Sequence, residues 1–369
     1  MELPRQIPFY IKLSQIIIGV IAFFYVMYIG QDILLPLIFA LILAILINPL
    51  VNYLQRIRCN RVLAIFIAVF LTFLFTVGIV YFISAQLTTF GDAMPQLKEK
   101  FNSLLNNTVH WVSQTFNIST KNINEWMAKQ KSESLNNGTS VIGQTITTIS
   151  GVLIIVFLLP VYIFMILFYK PLLLNFIAQL FPPAKHKTVV EVLTETKVLI
   201  QSYLIGLLVE AAIVATLNSG SLLILGIDYA ILIGIIGALL NIIPYIGGII
   251  AVAIPMVLAL VTKEPIYAVW VLVAHLSVQF IDNNFIVPKI VASRVKINAL
   301  VSIIVVLIGG ALWGVPGMFL SLPLTAIIKV IFDRIEPLKP WGFLMGDTMP
   351  PIGKSIFNFR KKTVTKQDS

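Results

Sequence analysis

The sequence predicts an all-α polytopic membrane protein with about six transmembrane helices plus two re-entrant helical hairpins, arranged as inverted span-hairpin repeats. Three observations lead there. Of 369 residues, 58% are hydrophobic and 11% charged, with a mean hydropathy of +0.96; a soluble domain carries roughly 25% charged residues. Apolar runs recur along most of the chain. Two of them, at 231–261 and 298–332, are interrupted in mid-course by glycine and proline.

The elements follow in order. Apolar runs at 11–29, 33–50, 62–83, 149–169, 203–225 and 265–286 suit membrane crossings. The first resembles a secretory leader, but a second run follows almost at once without an Ala-x-Ala-like cleavage site, so it reads as a retained span. Within the polar stretch 89–144, Leu97, Phe101, Leu104, Leu105, Thr108, Val112 and Phe116 recur at helical spacing. They predict an amphipathic helix resting on the membrane or on a neighbouring subunit. Val189, Val190, Val192, Leu193, Val198 and Leu199 interleave with Glu191, Glu195 and Lys197, predicting a second amphipathic helix along the inner interface. Beyond Glu336, Pro337, Pro340, Pro350 and Pro351 predict an extended tail.

The broken runs are too long for one crossing and too short for two. A helix of about 31 residues would be roughly 46 Å long against a hydrocarbon core of about 30 Å, and two spans need roughly 40 residues. Half-membrane hairpins fit. Their tips carry Asn241, Pro244, Tyr245, Gly247 and Gly248 in the first, and Gly309, Gly310, Trp313, Gly314, Pro316 and Gly317 in the second.

Orientation follows from the lysines and arginines of short loops, which stay cytoplasmic. Arg56, Arg58 and Arg61 follow the second run, and Lys170, Lys185, Lys187 and Lys197 follow the fourth. If 231–261 re-emerges on the side it came from, Lys289, Arg294, Lys296 and the basic tail also fall inside. Lys263, beside Glu264, is the exception. The chain then divides into 1–88 (three spans), 89–144 (an extracytoplasmic insertion), 145–200 (the fourth span and a cytoplasmic amphipathic helix), 201–334 (a core with inverted repeats) and 335–369 (a basic cytoplasmic tail).

Several function classes drop out. The net charge of +10 is scattered and forms no dense basic stripe, so nucleic acid is not an expected partner. Cys59 is the single cysteine, and His110, His186 and His275 lie far apart, which leaves no metal-binding motif and no expected cofactor. No Walker motif argues for ATP, and no nucleophile-base constellation argues for an enzyme.

An ionisable group near the bilayer centre costs about 2.5–3.5 kcal/mol, so the few present carry meaning. Gly206, Glu210, Val214 and Asn218 share one helical face; His275, Gln279 and Asp282 share another, with Asn283 and Asn284 adjoining. Asp282 with Gln279 and Asn283 is either a sodium or proton site or an interfacial cap ahead of Pro288. Glu210 is either a coupling carboxylate or a partner that neutralises Lys329, which lies near Asp333. His275 reads as a hydrogen-bonded structural residue rather than a proton relay. The backbone released at the two tips must face protein or water, either along a solute pathway or in tight helix packing.

From about Gly206 to Arg334 these residues resemble the autoinducer-2 exporter (AI-2E) family. The resemblance rests on Gly226 to Ala230, Asn241 through Gly248, Gln279, Asp282 to Asn284, Pro288, Gly309, Gly310, Trp313 to Gly317 and Pro323. Ala299 departs from it, standing where the family usually has a proline. The resemblance implies a secondary, non-ATP transporter of a small polar solute, an autoinducer-2-like signal being one candidate, in a bacterial inner membrane; the basic loops put both termini in the cytoplasm. It also implies a homo-oligomer, a pentamer being plausible. Other members are associated with sodium/proton exchange, so a monovalent cation/proton antiporter is the alternative.

Overall fold

Proline and glycine decide where this chain bends and alanine decides where it packs closely. The computed structural model describes residues 8–116, 157–243, 246–290 and 297–347. Its helices are α1 (Phe9–Ile29), α2 (Gln31–Arg56), α3 (Arg61–Phe116), α4 (Phe157–Phe168), α5 (Lys170–Gln179) and α6 (His186–Ile224). They continue with α7 (Ala230–Asn241), α8 (Ile246–Thr262), α9 (Pro265–Ile281), α10 (Val287–Ile290), α11 (Ala299–Arg334) and α12 (Lys339–Met345). Among the described residues there is no strand, and six helical stretches are long and apolar enough to cross a membrane. α4 and α5, bent by 59°, would make a seventh. No residue of α1 is buried although the helix is strongly apolar; such a surface is stable in hydrocarbon.

Three expectations change. As far as Phe116, the polar segment predicted to rest on the membrane or a neighbour continues α3, a single helix of 56 residues and roughly 84 Å; residues 117–144 lie outside the described residues. Nothing between Ile83 and Thr89 breaks it, and Thr88 and Thr89 hydrogen-bond back to the Ser84 and Ala85 carbonyls. Its Phe90 and Leu97 pack on the first broken segment, with the Phe90 ring edge-on to Tyr229 at 5.2 Å. The second amphipathic segment is likewise the first part of the 39-residue α6. The tail predicted as extended turns helical at Glu336–Leu338 and Lys339–Met345, because Pro337 and Pro340 fall in first helical turns where no N–H is lost. The rest of the tail lies outside the described residues.

At the N-terminal end, Ala40, Ala44, Ala64 and Ala68 let α2 and α3 approach closely, with Ile163 and Leu167 of α4 in the same core. Pro49 has no N–H for the Ile45 carbonyl one turn earlier. Gln201 of α6 supplies the missing donor at 2.7 Å. One proline therefore ties α2 to α6.

Both broken segments reverse direction. α7 and α8 pack along each other across residues 242–245, and a Cβ on Gly237 would lie 3.6 Å from that of Ala251. Gly226, ahead of α7, lies beside the Lys263 ammonium that follows α8. In α11, Gly314 leaves helical geometry at φ 62°, ψ −144°. A Cβ on Gly317 would collide with the Gly309 carbonyl, whereas eight residues along a straight helix are about 12 Å apart. The N-cap Asn298 bonds Met345 through its backbone and Leu344 and Gly346 through its side chain, so the start of α11 meets the chain beyond its end. By length α11 passes as one span; its path is a hairpin.

Gly317→Ala is expected to lower stability by about 1–3 kcal/mol through overpacking against backbone. Gly19→Ala, where nothing lies within 4 Å of the added methyl, should leave it unchanged or slightly raised. Thermal unfolding in detergent micelles checks the pair; equal effects would contradict the described turn.

Candidate functional site

Asn241, Asp282 and Asn283 of the site are set by breaks in helices, and Tyr203, Glu210 and Gln279 by continuous ones. α9 ends at Ile281 and passes into one wide π-helical turn, Asp282–Ile286, closed by the Val287 N–H donating to the Asp282 carbonyl. Such turns shift the side-chain register. This one directs Asp282 and Asn283 toward the end of α7, where Asn241 is the last helical residue. The Asn284 amide donates to the Phe280 carbonyl at 2.8 Å, which keeps the turn's own backbone satisfied.

The three side chains form a directed series. Gln279 Nε2 donates to Asn241 Oδ1 at 2.8 Å, and Asn241 Nδ2 donates to Asp282 Oδ2 at 2.9 Å. The carboxylate only accepts, which fixes the direction of both amides. Asp282 is 2% exposed, and its Oδ1 has no partner among the described residues. Buried polar atoms of this kind are uncommon.

Around the series lies a cavity of about 540 Å³. α6 contributes Tyr203, Leu207 and Glu210; the α7–α8 turn contributes Asn241, Ile242 and Gly248; the end of α9 contributes Gln279, Asp282, Asn283 and Val287. The second arm of α11 adds Leu322. Glu210, 9% exposed, lines the same cavity as Asp282. A Cβ on Gly248 would come 3.2 Å from Gln279 Nε2, so this glycine keeps the amide series in place.

The sequence candidates therefore separate. Glu210, Asn241, Gly248, Gln279, Asp282 and Asn283 meet in one cavity. His275 and Asn218 face a second space of about 10 Å³, shared with Gly237, Ala251 and Pro255 and large enough for about one water. Gly247 is buried in the α7–α8 turn, its N–H on the Ile243 carbonyl. Gly309, Gly310, Gly314, Pro316 and Gly317 do not line the large cavity. Their turn lies against α1, where Trp313 Nε1 donates to the Met27 carbonyl at 2.9 Å. Lys329 pairs with Asp333, so Glu210 is not its neutralising partner. Pro244 and Tyr245 lie outside the described residues. Among the described residues no cluster of three or more His, Cys, Asp or Glu side chains offers a metal site.

The model of the AI-2E family transporter matches residues 17–336. The chain belongs to the AI-2E transporter family. It is similar to TqsA of Escherichia coli (strain K12), named an AI-2 transport protein, at 24% identity over 320 residues, covering 86% of this chain and 90% of that one. It is also 24% identical to YueF of Bacillus subtilis (strain 168) over 316 residues, covering 82% and 84% of the two chains. PerM of Escherichia coli (strain K12) is 26% identical over 336 residues, covering 86% and 91%. The family is one of membrane transporters, and this chain is accordingly not an enzyme.

The sequence reading missed Tyr203, Leu207, Ile242, Val287 and Leu322. Tyr203 and Leu207 stand at helical spacing ahead of Glu210, a signal present in the sequence. Nothing local marks Leu322, which reaches the cavity only through the reversal of α11.

Replacing Asn241 with leucine strands Gln279 and Asp282 together and is expected to cost about 1–3 kcal/mol. Asp282→Asn keeps an acceptor for Asn241 and removes the unpaired charge, so its cost should be smaller. Thermal unfolding of the two variants in detergent checks this; the reverse order would contradict the directed series.

Proposed function

We propose that this protein is a secondary transporter that moves a small polar solute without ATP through the cavity between α6, the α7–α8 hairpin and the end of α9. The observation that carries the reading is the unpartnered Asp282 Oδ1 beside Glu210, with the other oxygen of Asp282 held by the hairpin residue Asn241. In this reading the two hairpins are re-entrant, α7–α8 from the outer side and α11 from the cytoplasm. Each follows a span, α6 or α9, in opposite orientation, which is the inverted repeat used for alternating access. Division of the chain at 88, 144, 200 and 334 belongs to the same scheme, as do cytoplasmic termini in a bacterial inner membrane and assembly into a homo-oligomer, a pentamer being the form proposed. The apolar surface of α1, none of it buried within one chain, is available to lipid or to another copy.

The geometry modifies one element of the sequence scheme. The hairpin tips do not meet at a shared midplane site; the first tip faces the side of the second hairpin at Leu322. Asp282 follows 17 helical residues of α9, roughly 26 Å from its start; with α9 entering from the outer side, as in this reading, the cavity belongs toward the cytoplasmic face.

Chemically, Asp282 and Glu210 supply the charge and the amides supply its orientation. A proton or sodium ion on Asp282 neutralises the oxygen that holds Asn241. This weakens a charge-assisted hydrogen bond and releases the first hairpin from α9. Solute movement is thereby coupled to the cation. An autoinducer-2-like signal is the substrate we propose, by analogy with the name of TqsA, and export is the direction. The bare Asp282 oxygen also favours a second reading, a monovalent cation (sodium)/proton antiporter using the same carboxylates.

Reconstitution into vesicles tests both. Gradient-driven solute flux is expected to fall roughly tenfold or more, equivalent to about 1.4 kcal/mol, in Glu210→Gln and Asp282→Asn. Unchanged flux in both variants would remove these residues from the mechanism. Sodium-driven proton movement without solute would favour the antiporter.

A further inference from the structure

A second charged locus lies away from the transport cavity, where the starts of α3 and α5 meet α2 and α6. Lys170, at the start of α5, donates from Nζ to Asn48 Oδ1 of α2 at 3.0 Å. Asn48 is 5% exposed, and its Nδ2 has no acceptor among the described residues. Because an ammonium can only donate, it fixes the Asn48 oxygen toward itself and leaves the amide nitrogen as an unused donor. Arg61, the first residue of α3, places Nη2 on the Leu167 and Phe168 carbonyls at 3.1 and 2.8 Å. Its remaining guanidinium donors stay available. Burial first, then the charges of Lys197 on α6 and of Arg61, hold the Lys170 ammonium below the usual lysine range. Among the described residues none of these three cations pairs with a carboxylate. The acids of the first turns of α6, Glu191 and Glu195, are instead engaged by Arg334.

Among the described residues the locus thus presents three cations without a carboxylate partner and one unspent amide, from α2, α3, α5 and α6. Like charges so placed repel one another, and an anion between them reverses the sign of that term. Basic pockets between membrane helices on the cytoplasmic side suit anionic headgroups, whose phosphate accepts several charge-assisted hydrogen bonds at once. We infer that Lys170, seated on Asn48, with Arg61 and Lys197 beside it, forms a binding site for a phosphate group, supplied by an anionic phospholipid headgroup or by free phosphate. A phosphate here would link α2, α3, α5 and α6 at one point, next to the Gln201 contact that already joins α6 to α2.

The test uses the full chain purified in mild detergent, with native mass spectrometry of bound lipid. Phosphatidylglycerol is expected to be retained in preference to phosphatidylcholine. Lys197→Gln and Lys170→Gln should each weaken retention roughly tenfold, as for loss of one charge-assisted contact. Lys187→Gln, an exposed lysine outside the cluster, should not. If Lys170→Gln fails to fold because it strips the partner from Asn48, the half-buried Lys197 carries the comparison alone. Displacement of the lipid by inorganic phosphate would assign the site to the soluble anion, and resistance to it would assign the headgroup; both uphold a phosphate site. Equal retention of the two lipids with no effect of phosphate would overturn it. So would a Lys187→Gln loss as large as that of Lys197→Gln, the mark of diffuse surface charge.

Discussion

Hydrocarbon offers no hydrogen bonds, so every backbone N–H and C=O within a membrane must find its partner in the protein. The arrangement of this chain follows from how it meets that demand at its prolines and glycines. Pro49 frees the Ile45 carbonyl, and Gln201 takes it up across a helix interface. Pro255 frees the Ala251 carbonyl, which faces the small polar space of Asn218 and His275 rather than lipid. The two reversals are the largest case. Each breaks a helix in the middle of an apolar run; the first packs against α3, α6 and α9, whereas Gly314, Val315 and Pro316 at the apex of the second are exposed.

The two reversals serve different ends. The α7–α8 turn is polar at Asn241 and small at Gly248, and it sits where α9 loosens into a π turn. There the helix break, the amide series and two carboxylates coincide, which suits charge that comes and goes. The α11 turn is apolar apart from Trp313, whose indole N–H is satisfied by the Met27 carbonyl. Its glycines let two backbones touch at Gly309 and Gly317. That turn meets α1 at Trp313, and its arm supplies one apolar residue, Leu322, to the cavity. A buried carboxylate is costly unless partnered, and Asp282 has one oxygen bonded and the other without a partner among the described residues.

Much of this was legible in the sequence. Apolar runs with few charges identified the spans, and the interrupted runs at 231–261 and 298–332 identified both reversals, because a run too long for one crossing and broken by glycine cannot remain straight. Helical spacing placed Gln279 and Asp282 on one face and Glu210 on another. What escaped depends on contacts distant in sequence. His275 belongs to the same stripe as Gln279, yet the hairpin slots between them at Gly248 and gives each a different space. Lys329 pairs within its own helix with Asp333, a local partner the sequence had shown but weighed against Glu210. Continuity of α3 and α6 through polar stretches was hidden because polarity marks a change of solvent, whereas only proline, glycine or competing side-chain hydrogen bonds mark a change of backbone.

Alternating access of the proposed kind requires that the chain leave the membrane, after each hairpin, on the side from which it entered. Labelling of single cysteines by a membrane-impermeant reagent, in a Cys59→Ser background and from each face of sealed vesicles, measures this directly. Cysteines replacing Asp228 and Lys263, on either side of the first hairpin, are expected to react together from the outer face. Those replacing Ile297 and Glu336, on either side of the second, are expected to react together from the cytoplasmic face. Reaction of either pair from opposite faces would make that segment a full crossing and would contradict the inverted arrangement and the transport cavity built on it.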